Sequence, residues 1–348
     1  LAEVLRAAGL AVAENTLGCS LMAEDLTPAD FVDRYDDRFD TNVFVSYPHL
    51  HERLLHALHP ARQYGRRNIV QLAWEQRDGS PRWADVFADF EQVWAVSDFT
   101  ATSLTAWLGR PVITVPNTLD FASLPAPAAK AEVGLDPDRF TVLYICDANS
   151  SLERKNPEGV VEAFRRAFAD DEKVSLVLRV SHVQAVGEYR ERLRRLAQRL
   201  PAGLPIRLLT EPMTERDILR LISAADAYLS LHRAEGFGLT CAEAMALGVP
   251  VIATGYSGNL QFMRDDNSHL VRYDECEVKV PDGPFVRGSR WADPDLDHAA
   301  HLLRQVFLEP NEARRKAAVG RDSVRRELSA QAVAERVKRA LDVGQAQA

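Results

Sequence analysis

The sequence predicts an α/β fold made of two doubly wound domains, each built on a parallel sheet. Short β-branched apolar runs alternate with helical patterns along nearly the whole chain, which is typical of parallel sheets with helices on both faces. At 348 residues the chain is also too long for one ordinary core. Finally, a Pro/Ala-rich stretch at residues 122–130 interrupts the alternation, which then begins again.

The first predicted domain spans residues 1–122. Its strands are predicted at Asn42–Ser46, Asn68–Ala73, Gln92–Val96 and Pro111–Val115, and its helices include Leu50–Leu58 and Phe99–Trp107. The chain opens directly in a helical pattern, LAEVLRAAGL, and does not begin with Met. A doubly wound domain normally opens with a strand and a tight turn, so we expect that the first strand of this domain is lacking.

Residues 123–137 are predicted to be a linker, and residues 138–348 a second domain of the same architecture. Its strands are predicted at Phe140–Cys146, Val174–Val180, Pro205–Leu209, Ala227–Leu231 and Val249–Ala253. Its helices are predicted at Pro157–Phe168, Tyr189–Leu200, Glu215–Ala224, Leu239–Leu247, Asp295–Leu308, Glu312–Glu327 and Ala330–Leu341. We expect no strand in the tail, a turn at Trp291 with Asp293-Pro294, and packing of the last helix on the first domain.

Composition and charge exclude several classes of protein. Apolar residues make up 46% and charged residues 26% of the chain, which is typical of a globular protein. No apolar run approaches the roughly 18 residues that span a bilayer. The net charge of −8 argues against a nucleic-acid partner. Residues 1–122 carry 10 Arg, no Lys and 17 acidic residues, so at most weak peripheral contact with an anionic membrane is expected.

The four cysteines are scattered and form no C-x-x-C pair. They are Cys19, Cys146, Cys241 and Cys276. This usage predicts a reduced, cytoplasmic protein.

The most informative segment is Arg233–Thr254, RAEGFGLTCAEAMALGVPVIAT. Glu235 is predicted where a strand ends, and Glu243 in the first turn of the next helix. Between them, Gly236 and Gly238 let the backbone pass close to a ligand and direct N–H groups at an anion. The segment therefore predicts a site for a molecule with phosphates at one end and hydroxyls at the other, such as a nucleotide sugar.

This segment has two alternative interpretations. The carboxylates could be ordinary acidic residues at a helix start, where they are favoured in any case. A dinucleotide fingerprint is the second alternative, but its third glycine position holds Cys241, and no ribose-binding acid follows the next strand.

The segment Asp147–Pro157, DANSSLERKNP, directly follows the first strand of the second domain. Asn156 can cap the next helix and Pro157 suits its first turn. Arg154 and Lys155 lie just before that helix, where two fixed cations could neutralise a departing diphosphate, work otherwise done by Mg²⁺. A solvated basic turn is the alternative. Because both segments follow strands of one predicted sheet, we expect them to share a site.

These segments, with GYSGN at Gly255–Asn259 and VPNTLD at Val115–Asp120, resemble glycosyltransferase family 4. The resemblance implies a GT-B fold, in which two Rossmann-like domains face each other across a cleft. It implies that Arg154 and Lys155 hold the donor diphosphate, and that Glu235 lies near the donor sugar. The remaining donor-binding residues implied are Gly236, Phe237, Gly238, Leu239, Thr240 and the ribose-binding Glu243.

The resemblance further implies retaining transfer of a sugar from a nucleotide diphosphate sugar to a hydroxyl of a glycan, a lipid-linked glycan or a small molecule. It implies neither a metal nor another cofactor. The glycine-rich loop after the first strand has no counterpart, and the position of a common histidine reads Trp74-Glu75. Glu75 is a candidate contact to the sugar or acceptor, with an ordinary loop acid as the alternative. His232 is a second candidate contact, with a hydrogen-bonded structural role as the alternative.

Three alternative functions stay open at this point. They are a nucleotide-sugar epimerase on the same fold, a glycan phosphorylase, for which the chain is short, and a pseudo-transferase that binds a sugar or partner without chemistry. Among other polar residues, His49-x-His51 lacks further ligands for a metal. Asp36-Asp37 and Asp265-Asp266 are predicted to be solvated.

Overall fold

The computed structural model describes residues 1–12, 39–48, 66–168, 173–182, 191–192, 205–279, 281 and 284–345. Outside these residues lie the predicted helix Leu50–Leu58, most of Tyr189–Leu200, Cys19, Asp36-Asp37 and His49-x-His51.

The chain divides into two compact units. The N-terminal unit comprises Leu1–Thr118 with Ala330–Ala348, and the central unit comprises Leu119–Ser329. This division differs from the predicted domains at the C terminus, because the last helix belongs to the N-terminal unit. Among the described helices, none is long and apolar enough to cross a membrane.

The N-terminal unit is built on a four-stranded parallel sheet in the order β1-β2-β3-β4. Its strands are β1 (Thr41–Ser46), β2 (Arg67–Leu72), β3 (Gln92–Ala95) and β4 (Ile113–Thr114), and its first helices are α1 (Ala2–Ala7), α2 (Trp83–Val86) and α3 (Asp98–Leu108). Ser97 caps α3 by accepting a hydrogen bond from the Thr100 N–H, and Gly109 ends it with φ 64°. These caps explain why the boundaries of α3 match the prediction to one residue.

The central unit is built on a six-stranded parallel sheet in the order β10-β9-β8-β5-β6-β7. The strands are β5 (Phe140–Asp147), β6 (Val174–Ser181), β7 (Ile206–Leu209), β8 (Ala227–Ser230), β9 (Val251–Thr254) and β10 (His269–Val271). Its helices are α4 (Leu152–Lys155), α5 (Pro157–Ala167), α6 (Glu215–Ser223), α7 (Leu239–Ala246), α8 (Leu296–Leu308) and α9 (Pro310–Leu328). The two parallel sheets with their helices confirm the predicted α/β class.

An antiparallel hairpin follows the sheet of the central unit. It consists of β11 (Tyr273–Glu277) and β12 (Arg290–Pro294). We refer to these strands, with the described residues 278, 279, 281 and 284–289 between them, as the hairpin. The predicted turn at Trp291 with Asp293-Pro294 is wrong, since all three residues lie in β12. The buried Trp291 side chain instead faces the protein interior.

The last helix, α10 (Ala330–Gln345), completes the core of the N-terminal unit. Its buried side chains are Val333, Ala334, Val337 and Ala340, and they share one cluster with Val4, Leu5, Ile69, Trp94 and Val115. The Gln92 amide also donates a 2.7 Å hydrogen bond to the Ala340 carbonyl. Full burial of an aliphatic side chain contributes about 1.5–3 kcal/mol, so α10 is a structural part of this unit. The predicted packing of the last helix is confirmed.

Candidate active site

Two neighbouring strands of the central sheet bring the two predicted segments together. β5 and β8 run parallel, with Val142 opposite Ala227 and Leu143 opposite Tyr228. Parallel strands end at the same edge of a sheet, where ligand sites of α/β folds are found. The segment with Arg154 follows β5, and the segment with Glu235 follows β8. Their common location is thus a consequence of strand order.

Asn156 fixes the turn that presents the two cations. Its backbone is left-handed, with φ 56°, a conformation that Asn tolerates better than most residues. The side-chain oxygen accepts a 3.1 Å hydrogen bond from the Gly159 N–H, which confirms the predicted cap of α5. The amide group donates a 2.9 Å hydrogen bond to the carbonyl of Leu231, beyond the end of β8. One side chain therefore caps a helix and ties the two segments together.

Arg154, Lys155 and Glu235 form a cluster of charges that is largely shielded from solvent. The Arg154 Nη1 donates to the Ala234 carbonyl at 2.7 Å and lies 3.2 Å from the Glu235 Oε2. The Lys155 Nζ donates to the Glu235 Oε1. The Arg154 side chain is 4% exposed and that of Glu235 is 12% exposed. Three such charges are costly to bury and are retained only where they are mutually compensated, so the cluster fixes the orientation of its members.

The electrostatics of the cluster keep Glu235 ionised. Burial raises the pKa of this carboxyl. The charges of Lys155 and Arg154 lower it by a larger amount, so that the resulting pKa is about 2. The cations therefore face a permanent negative charge at neutral pH. A ligand group that competes with Glu235 for hydrogen bonds from Arg154 and Lys155 must be an anion that accepts them as strongly as a carboxylate does, such as a phosphate.

The glycine-rich loop is pressed against the turn that follows β9. Gly258 donates a 2.8 Å hydrogen bond to the Glu235 carbonyl, and a Cβ on Gly258 would collide with the backbone of Gly236 and Phe237. Ser257 accepts a 2.8 Å hydrogen bond from the Glu235 N–H. The loop backbone is thus held on one side by this turn.

The side chains of residues 236–240, which were predicted to bind the donor, lie in different environments. The Phe237 ring is buried and lies 5.1 Å from the Phe262 ring, so its side chain packs in the core and only its backbone faces the loop. Gly238, with φ 88°, is the residue that precedes α7. Leu239 is 44% exposed at the start of this helix, and Thr240 is half-buried beside it. The N–H groups of Leu239 and Thr240 lie at the start of α7, where a helix has no acceptor of its own for them.

Glu243 lies one turn further into α7 than predicted. It is the fifth residue of the helix, and the first turn contains no acid. Burial, and then the charge of Glu215, raises its pKa to about 7. Burial, with smaller contributions from the charges of Glu235 and Glu243, raises the pKa of the nearby Cys241 thiol. A carboxylate that is poorly stabilised in this way is a good acceptor for hydroxyl groups of a ligand.

His232 is completely buried directly before the loop. Its Nδ1 lies 3.0 Å from the Ser230 Oγ, and its Nε2 lies 3.1 Å from the Asn259 Oδ1. The Asn259 amide donates to the Thr254 carbonyl, so Oδ1 must face the ring and the histidine proton belongs on Nε2. Burial lowers the pKa of His232, and the ring is neutral at pH 7. These contacts are those of a residue that holds β8, β9 and the loop in register, whereas its predicted sugar contact stays a prediction.

The hairpin contributes residues that the sequence did not reveal. The Phe285 ring, 3% exposed, covers the Arg154 guanidinium at 5.6 Å. The Trp291 ring covers the guanidinium of Arg233 at 5.8 Å. The sequence carried only a weak signal for this hairpin. It has complementary charges such as Glu275 and Arg290, which form an ion pair of 3.3 Å across the strands, but it has no alternating apolar pattern.

The structure also describes three other polar residues that the sequence analysis named. Glu75 follows β2 in the N-terminal unit and is half-buried, so its contact with a sugar or acceptor stays a prediction. Asp265 and Asp266 are exposed, as predicted. Among the residues that the structure describes, no group of three or more His, Cys, Asp or Glu side chains is arranged to hold a metal ion.

Comparisons with known proteins identify the family of the chain. The model of the family described as "Family 4 Glycosyltransferase in conflict systems" matches residues 98–337. The curated alpha-monoglucosyldiacylglycerol synthase of Streptococcus pneumoniae (strain ATCC BAA-255 / R6) is 30% identical over 205 residues, which are 56% of this chain and 43% of the relative. The chain thus matches less than half the length of that relative.

Two solved structures share the fold. The Anabaena protein HepE in complex with UDP and glucose is 16% identical, with a TM-score of 0.66 over 86% of this chain and 78% of HepE. Sucrose-phosphate synthase from Thermosynechococcus elongatus is 21% identical, with a TM-score of 0.65 over 92% of this chain and 78% of the synthase. At these identities the similarity establishes the two-domain GT-B fold.

Proposed function

Because the chain belongs to the family 4 glycosyltransferases of conflict systems, we propose that it moves a sugar from a nucleotide diphosphate sugar to an acceptor hydroxyl with retention of configuration. The observation that carries this proposal is the cluster of Arg154, Lys155 and Glu235 at the carboxyl ends of β5 and β8. It combines two preorganised cations with a carboxylate, and these are the groups needed beside a departing diphosphate and a sugar.

The reaction begins with weakening of the bond between the anomeric carbon and the diphosphate oxygen. Positive charge develops on the sugar and negative charge on the leaving phosphate. Arg154 and Lys155 stabilise that negative charge, and they need no reorganisation because their positions are already fixed. Glu235 lies beside the sugar, where its ionised carboxylate accepts hydrogen bonds from hydroxyls and favours the developing positive charge.

Retention follows if the acceptor attacks on the face from which the diphosphate leaves. The acceptor oxygen forms the new bond to the anomeric carbon while the bond to the phosphate oxygen breaks. The acceptor proton passes to that phosphate oxygen, so no protein base is required. This arrangement gives Arg154 and Lys155 a second task, since they hold the leaving phosphate close to the incoming hydroxyl.

The remaining donor contacts are assigned to the loop and to α7. The backbone of Gly236 to Thr240 faces the sugar and phosphates with its N–H groups. Glu243 accepts hydrogen bonds from the ribose hydroxyls, for which its buried carboxylate is suited. Phe237 acts through its backbone, since its ring is occupied in the core.

We further propose that the transfer needs no metal, because the two fixed cations supply the positive charge that the diphosphate requires. Transfer rates measured before and after treatment with EDTA test this point. An unchanged rate is expected. A lost activity that added Mg²⁺ restores would overturn it.

The first donor to test is UDP-glucose, since HepE was crystallised with UDP and glucose. GDP- and ADP-glucose are the matched alternatives. Binding at 100 times the Kd stabilises a protein by about 2.7 kcal/mol, which corresponds to a rise in melting temperature of roughly 5–10 °C for a domain of this size. A protein that none of these donors stabilises would contradict the proposal.

The acceptor is tested with the stabilising donor and a panel of hydroxyl compounds. Diacylglycerol vesicles belong in that panel because of the name of the Streptococcus pneumoniae relative, together with glucose and glycerol. Proton NMR of the product reports the anomeric configuration, and an α product from the α-linked donor is expected. An inverted product would rule out same-face attack, and donor turnover without any acceptor product would favour an epimerase.

A further inference from the structure

We propose that the hairpin holds Arg154 in place for the diphosphate and that Phe285 is the positioning residue through which it does so. This inference rests on the proposed function and deepens it, because it adds a positioning element to the same site. Phe285 was not named from the sequence, and the residues Trp291, Asp293 and Pro294 of the hairpin were predicted only as a turn.

The first observation is the contact between Phe285 and Arg154. The Phe285 ring lies 5.6 Å from the Arg154 Cζ and is 3% exposed. A guanidinium over an aromatic ring is attracted by its negative face, most strongly where water is excluded. The ring therefore covers the guanidinium, whose Nη1 donates to the Ala234 carbonyl and lies 3.2 Å from the Glu235 carboxylate.

The second observation is a similar contact between another aromatic ring of the hairpin and another arginine. Trp291, in β12, covers the Arg233 guanidinium at 5.8 Å, and its ring lies 6.2 Å from the Phe285 ring. Arg233 in turn donates hydrogen bonds of 2.8 and 3.1 Å to the carbonyl and carboxylate of Glu153. An aromatic pair of the hairpin thus covers Arg154 of the charge cluster and Arg233, which is bonded to the same segment.

The third observation is that the backbones of these segments are joined. The Arg233 N–H donates to the Arg154 carbonyl at 2.7 Å, and the Arg233 carbonyl accepts from the Ala292 N–H at 2.9 Å. Strand β12, the loop after β8 and the end of α4 are consequently one hydrogen-bonded layer. A displacement of the hairpin would be passed to Arg154 through its main chain and through its guanidinium.

The physical reason for such a support lies in the side chain of arginine. Its long stem has many rotamers, and each must be suppressed if the charge is to act on a diphosphate without reorganisation. Glu235 alone does not achieve this, since it pairs with Lys155 as well. Contact with the Phe285 ring limits the positions that the Arg154 guanidinium can take, and its N–H groups are donors suited to phosphate oxygens.

The test uses the full chain and titrates UDP, GDP and ADP by calorimetry against the wild type, Phe285→Leu, Arg154→Gln and the double variant. The nucleotide that binds the wild type most tightly serves as the probe. Val286→Ala is the matched control, because Val286 is the adjacent residue and is 61% exposed. If Phe285→Leu does not fold, Phe285→Met replaces it, since Met fills a similar volume without an aromatic face.

Phe285→Leu is expected to bind the probe about 5- to 30-fold more weakly than the wild type, which is the fold-change that corresponds to a cation–π contact. Val286→Ala should bind as the wild type does. In the Arg154→Gln background, Phe285→Leu should cause less than about a 2-fold further loss, because its partner is already absent.

Two results would overturn the inference. Wild-type affinity in Phe285→Leu would show that the ring does not matter. An equal loss with and without Arg154 would show that Phe285 supports the fold in general. If the wild type binds none of the three nucleotides, the proposed function itself fails and takes this inference with it.

Discussion

Replacement of Gly258 by alanine is predicted to disable the site without touching a charged group. Gly258 begins the short 3₁₀ turn Gly258–Gln261 and donates a hydrogen bond to the Glu235 carbonyl. Its φ lies outside the left-handed region, since it is not among the glycines with positive φ. Alanine is therefore compatible with the backbone angles, and any effect must come from the added methyl group.

The size of the effect follows from the space available. A Cβ on Gly258 would lie 2.6 Å from the Phe237 nitrogen and closer still to the Gly236 carbonyl, whereas ordinary contact begins at 3.4 Å. Because these are backbone atoms, no side chain can rotate away, and the loop after Glu235 must move by about 1 Å. A displacement of this size in a catalytic array costs about 100-fold in rate.

The assay is the kcat/KM of donor consumption, supported by the Kd of the nucleoside diphosphate and by the melting temperature. Gly255→Ala is the matched control, because its Cβ would lie 3.3 Å from the Val271 carbonyl oxygen and 3.5 Å from the Leu270 Cβ, a fit that needs only a few tenths of an ångström. We expect the control to keep its activity within about 3-fold and Gly258→Ala to lose about 100-fold. Equal activities in the two folded variants would refute the steric argument.

Three further predictions address single residues of the same unit. Lys155→Ala should lower turnover by about 100-fold or more, as for loss of one preorganised charge-stabilising group; near-normal release of nucleoside diphosphate in that variant would contradict its role. Asn156→Ala removes a cap and leaves the Leu231 carbonyl without its donor, so the central unit should lose about 1–2 kcal/mol, seen as a melting temperature roughly 2–8 °C lower. Glu243 has its pKa raised from 4.5 to about 7. Between these pH values its carboxyl is protonated in the folded protein and ionised in the unfolded chain, so the free energy of unfolding falls as pH rises from 4.5 to 7. Glu243→Gln should therefore raise the melting temperature more at pH 8 than at pH 5, and the reverse order would show that its carboxylate is stabilised in the fold.

Five of the six strands of the central sheet, β5 to β9, were predictable because each is rich in apolar or β-branched residues. The predicted Phe140–Cys146 and Ala227–Leu231 differ from β5 and β8 by one residue at one end. The meeting of Arg154 and Lys155 with Glu235 was also predicted, since both segments follow strands of the same sheet. That β8 pairs directly with β5 was not predictable from local pattern, because strand order depends on long-range packing.

The hairpin was missed for a physical reason. Its first strand reads Tyr-Asp-Glu-Cys-Glu, which has no alternation of apolar and polar residues, and it is held by pairing with β12 and by charges. Strand β10 contains three residues and is too short to give a periodic signal. Phe285 lies in the connection between the two hairpin strands, where a buried ring cannot be told from an exposed one by sequence alone.

The path of the chain makes the N-terminal unit a discontinuous domain interrupted by the central one. Leu119 and Leu328, near the two ends of the central unit, are joined by a 3.0 Å hydrogen bond between their main chains. A protease that nicks either crossing alone would leave the two units tethered, and cleavage of both is needed to separate them. The neighbouring ends also suggest a practical excision: residues 119–329 can be replaced by a short glycine spacer, which would let α10 fold back on α1 within a much shorter chain.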